Sequence, residues 1–187
     1  MDFHLFYRGR LKGNGSPTDK QLLRRCFHRQ LQELWKQKPL GDYSPMLVGV
    51  DDDVRRPRFL RTVGPFTFVP LVNPRVDLIA ELDIVLLRPE PPGSIITQSG
   101  DIDNRLKTLF DALRMPHNLA ELPQGEAPAP DEPRFYVLLE DDNLIQHVAV
   151  RTDRLLEPTV DPLEVVLMIR VATKVTRATM DNLGLGV

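Results

Sequence analysis

Between Asp101 and Leu113 the chain interlocks acids, a lysine and an apolar stripe at helical spacing, more tightly than anywhere else in its 187 residues. On a wheel of about 100° per residue, Ile102, Leu106, Leu109, Phe110 and Leu113 fall on one side, which predicts an amphipathic helix docked on a core. Asp103, Lys107 and Asp111 lie four apart along one edge of that side. Asp101 falls at or just before the helix start, where the chain can still turn its carboxylate toward Asp103 and the free N–H groups of the first turn favour anions. Converging carboxylates repel one another unless a cation sits between them, and a hard cation such as Mg²⁺ takes oxygen ligands. Taken alone, the same spacing also describes an N-capping Asp and a solvated Asp–Lys pair.

A second acidic group, Glu140-Asp141-Asp142, directly follows the apolar run Phe135–Leu139. A strand end is where a sheet delivers catalytic side chains; the plainer reading of these acids is a polar turn between two strands. Together the two groups suggest two-metal phosphodiester chemistry, in which carboxylates hold cations that activate water and stabilise the leaving oxygen. A lysine beside them would neutralise charge in the transition state.

The run Asp101-x-Asp103-Asn104-x-x-Lys107-x-x-x-Asp111-Ala112-Leu113, followed by Asp141-Asp142, resembles the RusA family of Holliday junction resolvases. That resemblance implies a small homodimeric endonuclease, dependent on Mg²⁺ (or Mn²⁺), that cuts branched DNA in recombination and repair. It makes Asp101, Asp103 and Asp142 the metal-binding acids and Lys107 the catalytic lysine. Asn104, Asp111 and Asp141 match further motif positions, with Asp111 or Asp141 orienting a ligand or the lysine. The match covers roughly a third of the chain by motif. The chain departs from the family in placing Pro116–Pro133, with five prolines, between the helix and the Asp-Asp pair, and in carrying Gly100 before Asp101.

A hydrophobic fraction of 42% over this length predicts one compact domain with its own core. No run of about 18 apolar residues is present, so no membrane span is expected. The N-terminus lacks a signal-peptide layout, and a cytoplasmic location is expected. The single cysteine, Cys26, sits among Leu22, Leu23 and Phe27 and reads as a small core residue. His4, His28, His117 and His147 are isolated from one another in sequence, which argues against a zinc site.

The net charge of −2 conceals an asymmetry. Residues 1–40 hold nine Lys/Arg (Arg8, Arg10, Lys12, Lys20, Arg24, Arg25, Arg29, Lys36, Lys38) against Asp2, Asp19 and Glu33, so a polyanion would prefer the front of the molecule. A helix is predicted from Thr18 or Asp19 to Gln37, with Leu23, Cys26, Phe27, Leu31, Leu34 and Trp35 inward. Lys20, Arg24, Arg25, His28 and Arg29 would face out, as a nucleic-acid-binding face or a solvated helix surface. The cluster Asp51-Asp52-Asp53 with Arg55, Arg56, Arg58 and Arg61 reads as a solvated loop whose arginines could contact a backbone.

Strands are predicted at Phe3–Leu11, Phe66–Val72, Leu78–Arg88, Arg134–Leu139, Ile145–Thr152 and Leu163–Lys174. Asp83 falls on the face of its strand opposite Leu78, Ala80, Leu82 and Ile84, and reads as a solvent-facing acid, the alternative being that it approaches the metal site if that strand neighbours the helix at 102–114. The expected fold is α/β (α+β): a two-layer mixed β-sheet with packed helices, one RusA-like domain over residues 1–175. Residues 116–133 form an inserted Pro-rich loop and 176–187 a flexible tail or association segment. The expected function is a metal-dependent endonuclease acting on branched DNA as a homodimer. The alternative is a non-catalytic module that binds nucleic acid or a partner on the same fold, and a third possibility is a phosphohydrolase for smaller substrates.

Overall fold

The computed structural model describes residues 1–47, 59–89, 102–130, 132–158, 161 and 163–186. The Asp51–Asp53 cluster, Arg55, Arg56, Arg58 and Asp101 lie outside the described residues. The order is β1 (Asp2–Arg10), α1 (Pro17–Trp35), β2 (Arg61–Val63), β3 (Phe66–Val72), β4 (Leu78–Arg88), α2 (Ile102–Leu113), β5 (Phe135–Leu139), β6 (Ile145–Arg154) and β7 (Glu164–Val175), with four short 3-10 segments between them.

Local chemistry accounts for where α1 begins. Ser16 caps α1 through a reciprocal box with Asp19, and Pro17 occupies the first helical position, where its missing N–H costs nothing. Gly15 is needed at the approach. Its N–H donates to Thr108 Oγ1 at 2.9 Å, and a Cβ at this position would meet Thr108 Cγ2 at 2.6 Å.

The fold is mixed α+β, as expected, but its strands divide between two mixed sheets. A four-stranded sheet has the order β1-β7-β4-β6, and a three-stranded sheet the order β2-β3-β5. β4 and β6 run parallel, as do β3 and β5; the remaining neighbours are antiparallel. Parallel neighbours need a crossover, and the passage from β4 through α2 to β5 supplies one. Along β4 every second residue from Leu78 to Arg88 is buried, and β7 alternates likewise through Val165, Leu167, Ile169 and Val171. These rows pack with Leu23, Phe27, Leu31 and Trp35 of α1, Leu109, Ala112 and Leu113 of α2, and Leu138 and Leu139 of β5 in one continuous core. Each such side chain contributes about 1.5–3 kcal/mol relative to exposure. Cys26 is half-buried at the side of α1 facing β1 and lies outside this core.

The opposite face of the four-stranded sheet carries Asp83, which accepts from Arg170 Nη1 at 2.8 Å. It is a surface strand acid, as expected, turned away from the helices.

Two loop expectations change. The Pro-rich segment is a loop with one 3-10 turn, and it is fastened down: Leu122 enters a second, smaller core with Met115, Phe66, Phe68 and Phe135. Residues 176–186, expected as a flexible tail, fold back onto the body. Leu185 is fully buried in the main core, Asn182 donates to Val76 O at 3.0 Å, and Tyr43 donates to Leu183 O at 2.5 Å. A short segment gains order here because Leu185, unlike the exposed Met180 and Leu183, finds a hole beside β7. Among the described residues no helix is long and apolar enough to cross a membrane.

Candidate metal centre on helix α2 and the acidic turn

Helix α2 presents two kinds of charged residue. Asp111 is 8% exposed and locked, accepting from Lys20 Nζ at 2.7 Å and Arg114 Nη2 at 2.9 Å. Burial raises its pKa, yet these two cations outweigh it and hold the carboxyl below the ordinary range. It orients cations between α1 and α2. Asp103 and Lys107, one turn apart, are exposed and make no side-chain hydrogen bond or ion pair with any described residue. Asn104 is half-buried, and its carbonyl accepts from Asn14 N at 3.4 Å and Thr108 Oγ1 at 3.1 Å. It ties the first turn of α2 to the loop before α1.

The three acids after β5 are sorted in the same way. Glu140 is engaged by Arg61 Nε and Nη2 at 2.9 and 2.7 Å. Asp141 caps the 3-10 turn Asp142–Leu144, its Oδ1 accepting from Asn143 N at 2.9 Å, while its Oδ2 lies 2.9 Å from His117 Nε2. The Asn143 N–H, then the His117 ring, keep the Asp141 carboxyl below its ordinary pKa. Asp142 is exposed, its carboxyl lies against that of Asp141, and it makes no ion pair among the described residues.

Chain direction brings the two acidic groups toward each other. The loop before α1 touches Asn104 and Thr108, Lys20 meets Asp111, and Arg24 meets Arg114, so the helices run side by side in the same direction. β5 runs against both. His28 meets Tyr136, whereas Arg24, one turn earlier on α1, reaches Arg114, which bridges to Leu139. The turn that follows β5 therefore heads back along α2 toward the half carrying Asp103 and Lys107, and it packs on that helix.

The donor set suits a hard cation. Asp103 and Asp142 are exposed carboxylates without a cationic partner among the described residues, and Mg²⁺ is held through one or two carboxylates, its waters and a substrate phosphate. Among the described residues no group of three or more His, Cys, Asp or Glu converges on one point. The third acid of the expected set, Asp101, lies outside those residues.

The expected basic face of α1 is corrected by the structure. Arg24 is 1% exposed and His28 2%. Arg24 donates to Asp111 O at 2.8 Å, Arg114 O at 3.1 Å and Gln21 Oε1 at 2.5 Å, satisfying carbonyls left open at the end of α2. Burial brings its pKa down to about 10. His28 stacks on Phe135 with centroids 4.3 Å apart, and its Nδ1 accepts from Tyr136 N at 2.8 Å. Lys20 is held by Asp111, and Arg25 by Glu126 and Glu132 at 2.7 and 2.6 Å. Of the five, Arg29 alone is both exposed and without an ion pair. The physical reason is that α1 is covered on two sides, by the sheets and by α2 with the Pro-rich segment, so its cations serve as internal clamps. Spacing along α1 carries no signal for that second covering; the acids Glu121, Glu126 and Glu132 in the Pro-rich segment are the hint.

His117 is the site-adjacent residue that spacing does not reveal, because 24 residues separate it from Asp141 and only the fold unites them. Comparison with family models, with curated proteins and with solved structures finds no match to this chain.

Proposed function

We propose that this chain is an endonuclease, dependent on Mg²⁺ or Mn²⁺, that cuts phosphodiester bonds in branched DNA, as its RusA-like motif implies. One observation carries the reading. Among the described residues, where many charged side chains pair internally, Asp103 and Lys107 stand exposed and uncommitted on α2, beside a turn that exposes Asp142.

Asp103 and Asp142, with Asp101 by resemblance, would hold the cation. The bound ion supplies water activation and stabilisation of the leaving oxygen. Lys107, about 6 Å along the helix from Asp103, offers a free ammonium to the charge that develops on the phosphate. Asp111 keeps Lys20 and Arg114 in place beneath the helix and does not reach the reacting phosphate. Resolution of a symmetric four-way junction needs two such sites, and a homodimer would supply them.

Cleavage of labelled four-way junction, flap and plain duplex DNA tests the proposal, with Mg²⁺, Mn²⁺ or EDTA, comparing wild type with Asp103→Asn and Lys107→Ala. Metal-dependent symmetric cutting of the junction, abolished by both substitutions, is the expected result. Intact DNA under every condition, with salt-sensitive binding retained, would identify a non-catalytic binding module instead.

A further inference from the structure

We propose that His117 is a positioning residue for the acidic turn: its imidazole grips Asp141 and thereby aims the neighbouring Asp142 carboxylate at the space beside Asp103. The inference rests on the reading of Asp103 and Asp142 as carboxylates for one cation. The Pro-rich segment then acquires a role, since its opening turn delivers the ring.

The geometry is a continuous chain of contacts across four parts of the fold. Lys20 of α1 lies 2.7 Å from Asp111 Oδ2 of α2, and Asp111 Oδ1 accepts from Arg114 Nη2 at 2.9 Å. Arg114 Nη1 donates to Glu121 Oε2 at 2.8 Å, and the same carboxylate oxygen accepts from the His117 backbone N–H at 3.3 Å. The His117 ring stands between two acids, Nδ1 3.8 Å from Glu121 Oε1 and Nε2 2.9 Å from Asp141 Oδ2. Asp141 Oδ1 already accepts from Asn143 N. With His117 on one oxygen and the turn's own backbone on the other, the Asp141 carboxylate is fixed at both ends. A side chain fixed in that way leaves the backbone at the next residue little freedom, and the next residue is Asp142.

A role in stability is a poor explanation for this contact. His117 is 48% exposed and Asp141 32%, and ion pairs so close to solvent add little to folding. Neither residue sits in a core whose packing would demand it. The contact does fix a direction, and losing the outer partner of a metal-binding group typically costs about 10–100-fold in metal affinity.

Mn²⁺ itself is the probe. Wild type, His117→Ala, His117→Gln and Asp103→Asn would be titrated with Mn²⁺, following paramagnetic broadening of the amide signals around 103 and 142, and each protein's Tm would be recorded. Gln keeps an N–H donor near the position of the imidazole Nε2, so it separates donation from mere bulk. The expected result is that wild type binds at both segments, Asp103→Asn binds weakly, and His117→Ala loses about 10-fold or more in affinity. His117→Gln should recover most of that loss, and the Tm of both His117 variants should stay within about 4 °C of wild type. Wild-type Mn²⁺ affinity in His117→Ala overturns the proposal, as does a large fall in Tm that accompanies the lost affinity and persists in His117→Gln. Absence of broadening around 142 in wild type overturns it too. If His117 controls Mn²⁺ affinity and wild type cuts no DNA, the nuclease reading fails while the positioning role stands.

Discussion

A guanidinium buried as deeply as that of Arg24 must satisfy its donors inside the protein, and it does so on Asp111 O, Arg114 O and Gln21 Oε1. Substitution Arg24→Met fills much of the same volume but leaves those acceptors open. It should cost about 2–4 kcal/mol in urea unfolding. Asp103→Asn and Lys107→Ala should behave in the opposite way: both side chains are exposed and unpartnered, so stability should move by less than about 0.5 kcal/mol. If the nuclease reading holds, the same two changes lower junction cleavage by about 100-fold or more. His28 gives a pH signature. Burial holds its imidazole below the ordinary value of about 6.5, and Nδ1 is occupied by the Tyr136 N–H, so the unfolded chain binds the additional proton more readily. Stability is therefore fully present above about pH 6.5 and falls as pH drops toward the folded pKa. His28→Asn, which keeps an acceptor for Tyr136, should be flatter than wild type between pH 7 and 5, as read from Tm. That window lies above the range in which Asp111, Glu121 and Glu132, all held below their ordinary values, begin to lose their pairing.

At the scale of elements, hydrophobic period was a sufficient guide wherever one face of a helix or strand meets a core. The alternation of β4 and β7 and the stripe of α2 are written locally, and the structure follows them within about two residues. Partner choice is not local. Nothing in the run Phe135–Leu139 says that it joins β3 in a separate sheet while the next strand, starting at Ile145, joins β4. The same limit explains α1, whose second buried face is lined by charged side chains and so reads as a solvent face. The candidate site divides along this line. The motif places Asp103, Lys107 and Asp142, whereas Asp111 as an internal clamp, Arg61 on Glu140 and His117 on Asp141 depend on pairings far apart in the chain. The order of the C-terminal segment is not legible locally, because its glycines and weak periodicity conceal one anchor. Leu185→Ala should cost about 2–4 kcal/mol and lower Tm accordingly, since Leu185 is fully buried in the main core. A mobile tail would make this substitution silent.

For the whole molecule, the charge asymmetry of the sequence is resolved by folding. The front cations Arg8, Arg10, Lys12, Lys20, Arg25 and Lys36 all pair with acids, most of them with acids from later in the chain. A basic front segment, residues 1–40, that reads as a polyanion surface thus becomes a set of ties that holds the acidic remainder in place. If the protein binds DNA, its phosphate contacts should come from other cations. Arg75 is exposed, its side chain makes no ion pair among the described residues, and it lies in the 3-10 turn after β3. Because β3 and β5 run parallel, with Val72 opposite Leu139, that turn emerges at the same end as the acidic turn bearing Asp142. A cation there can hold a phosphate backbone across the site, whereas Arg24, 1% exposed, cannot meet one at all. Each phosphate neutralised on duplex DNA contributes about −0.9 to the slope of log K against log salt concentration. Arg75→Gln should therefore weaken binding of junction and duplex alike and make that slope shallower by about one. A conservative exchange at the buried position, Arg24→Lys, should leave the slope unchanged even as it lowers stability. Fluorescence anisotropy of labelled DNA over 50–200 mM salt separates the two. The reverse outcome, a slope sensitive to Arg24 and indifferent to Arg75, would return the nucleic-acid surface to α1 and contradict the burial of its cations.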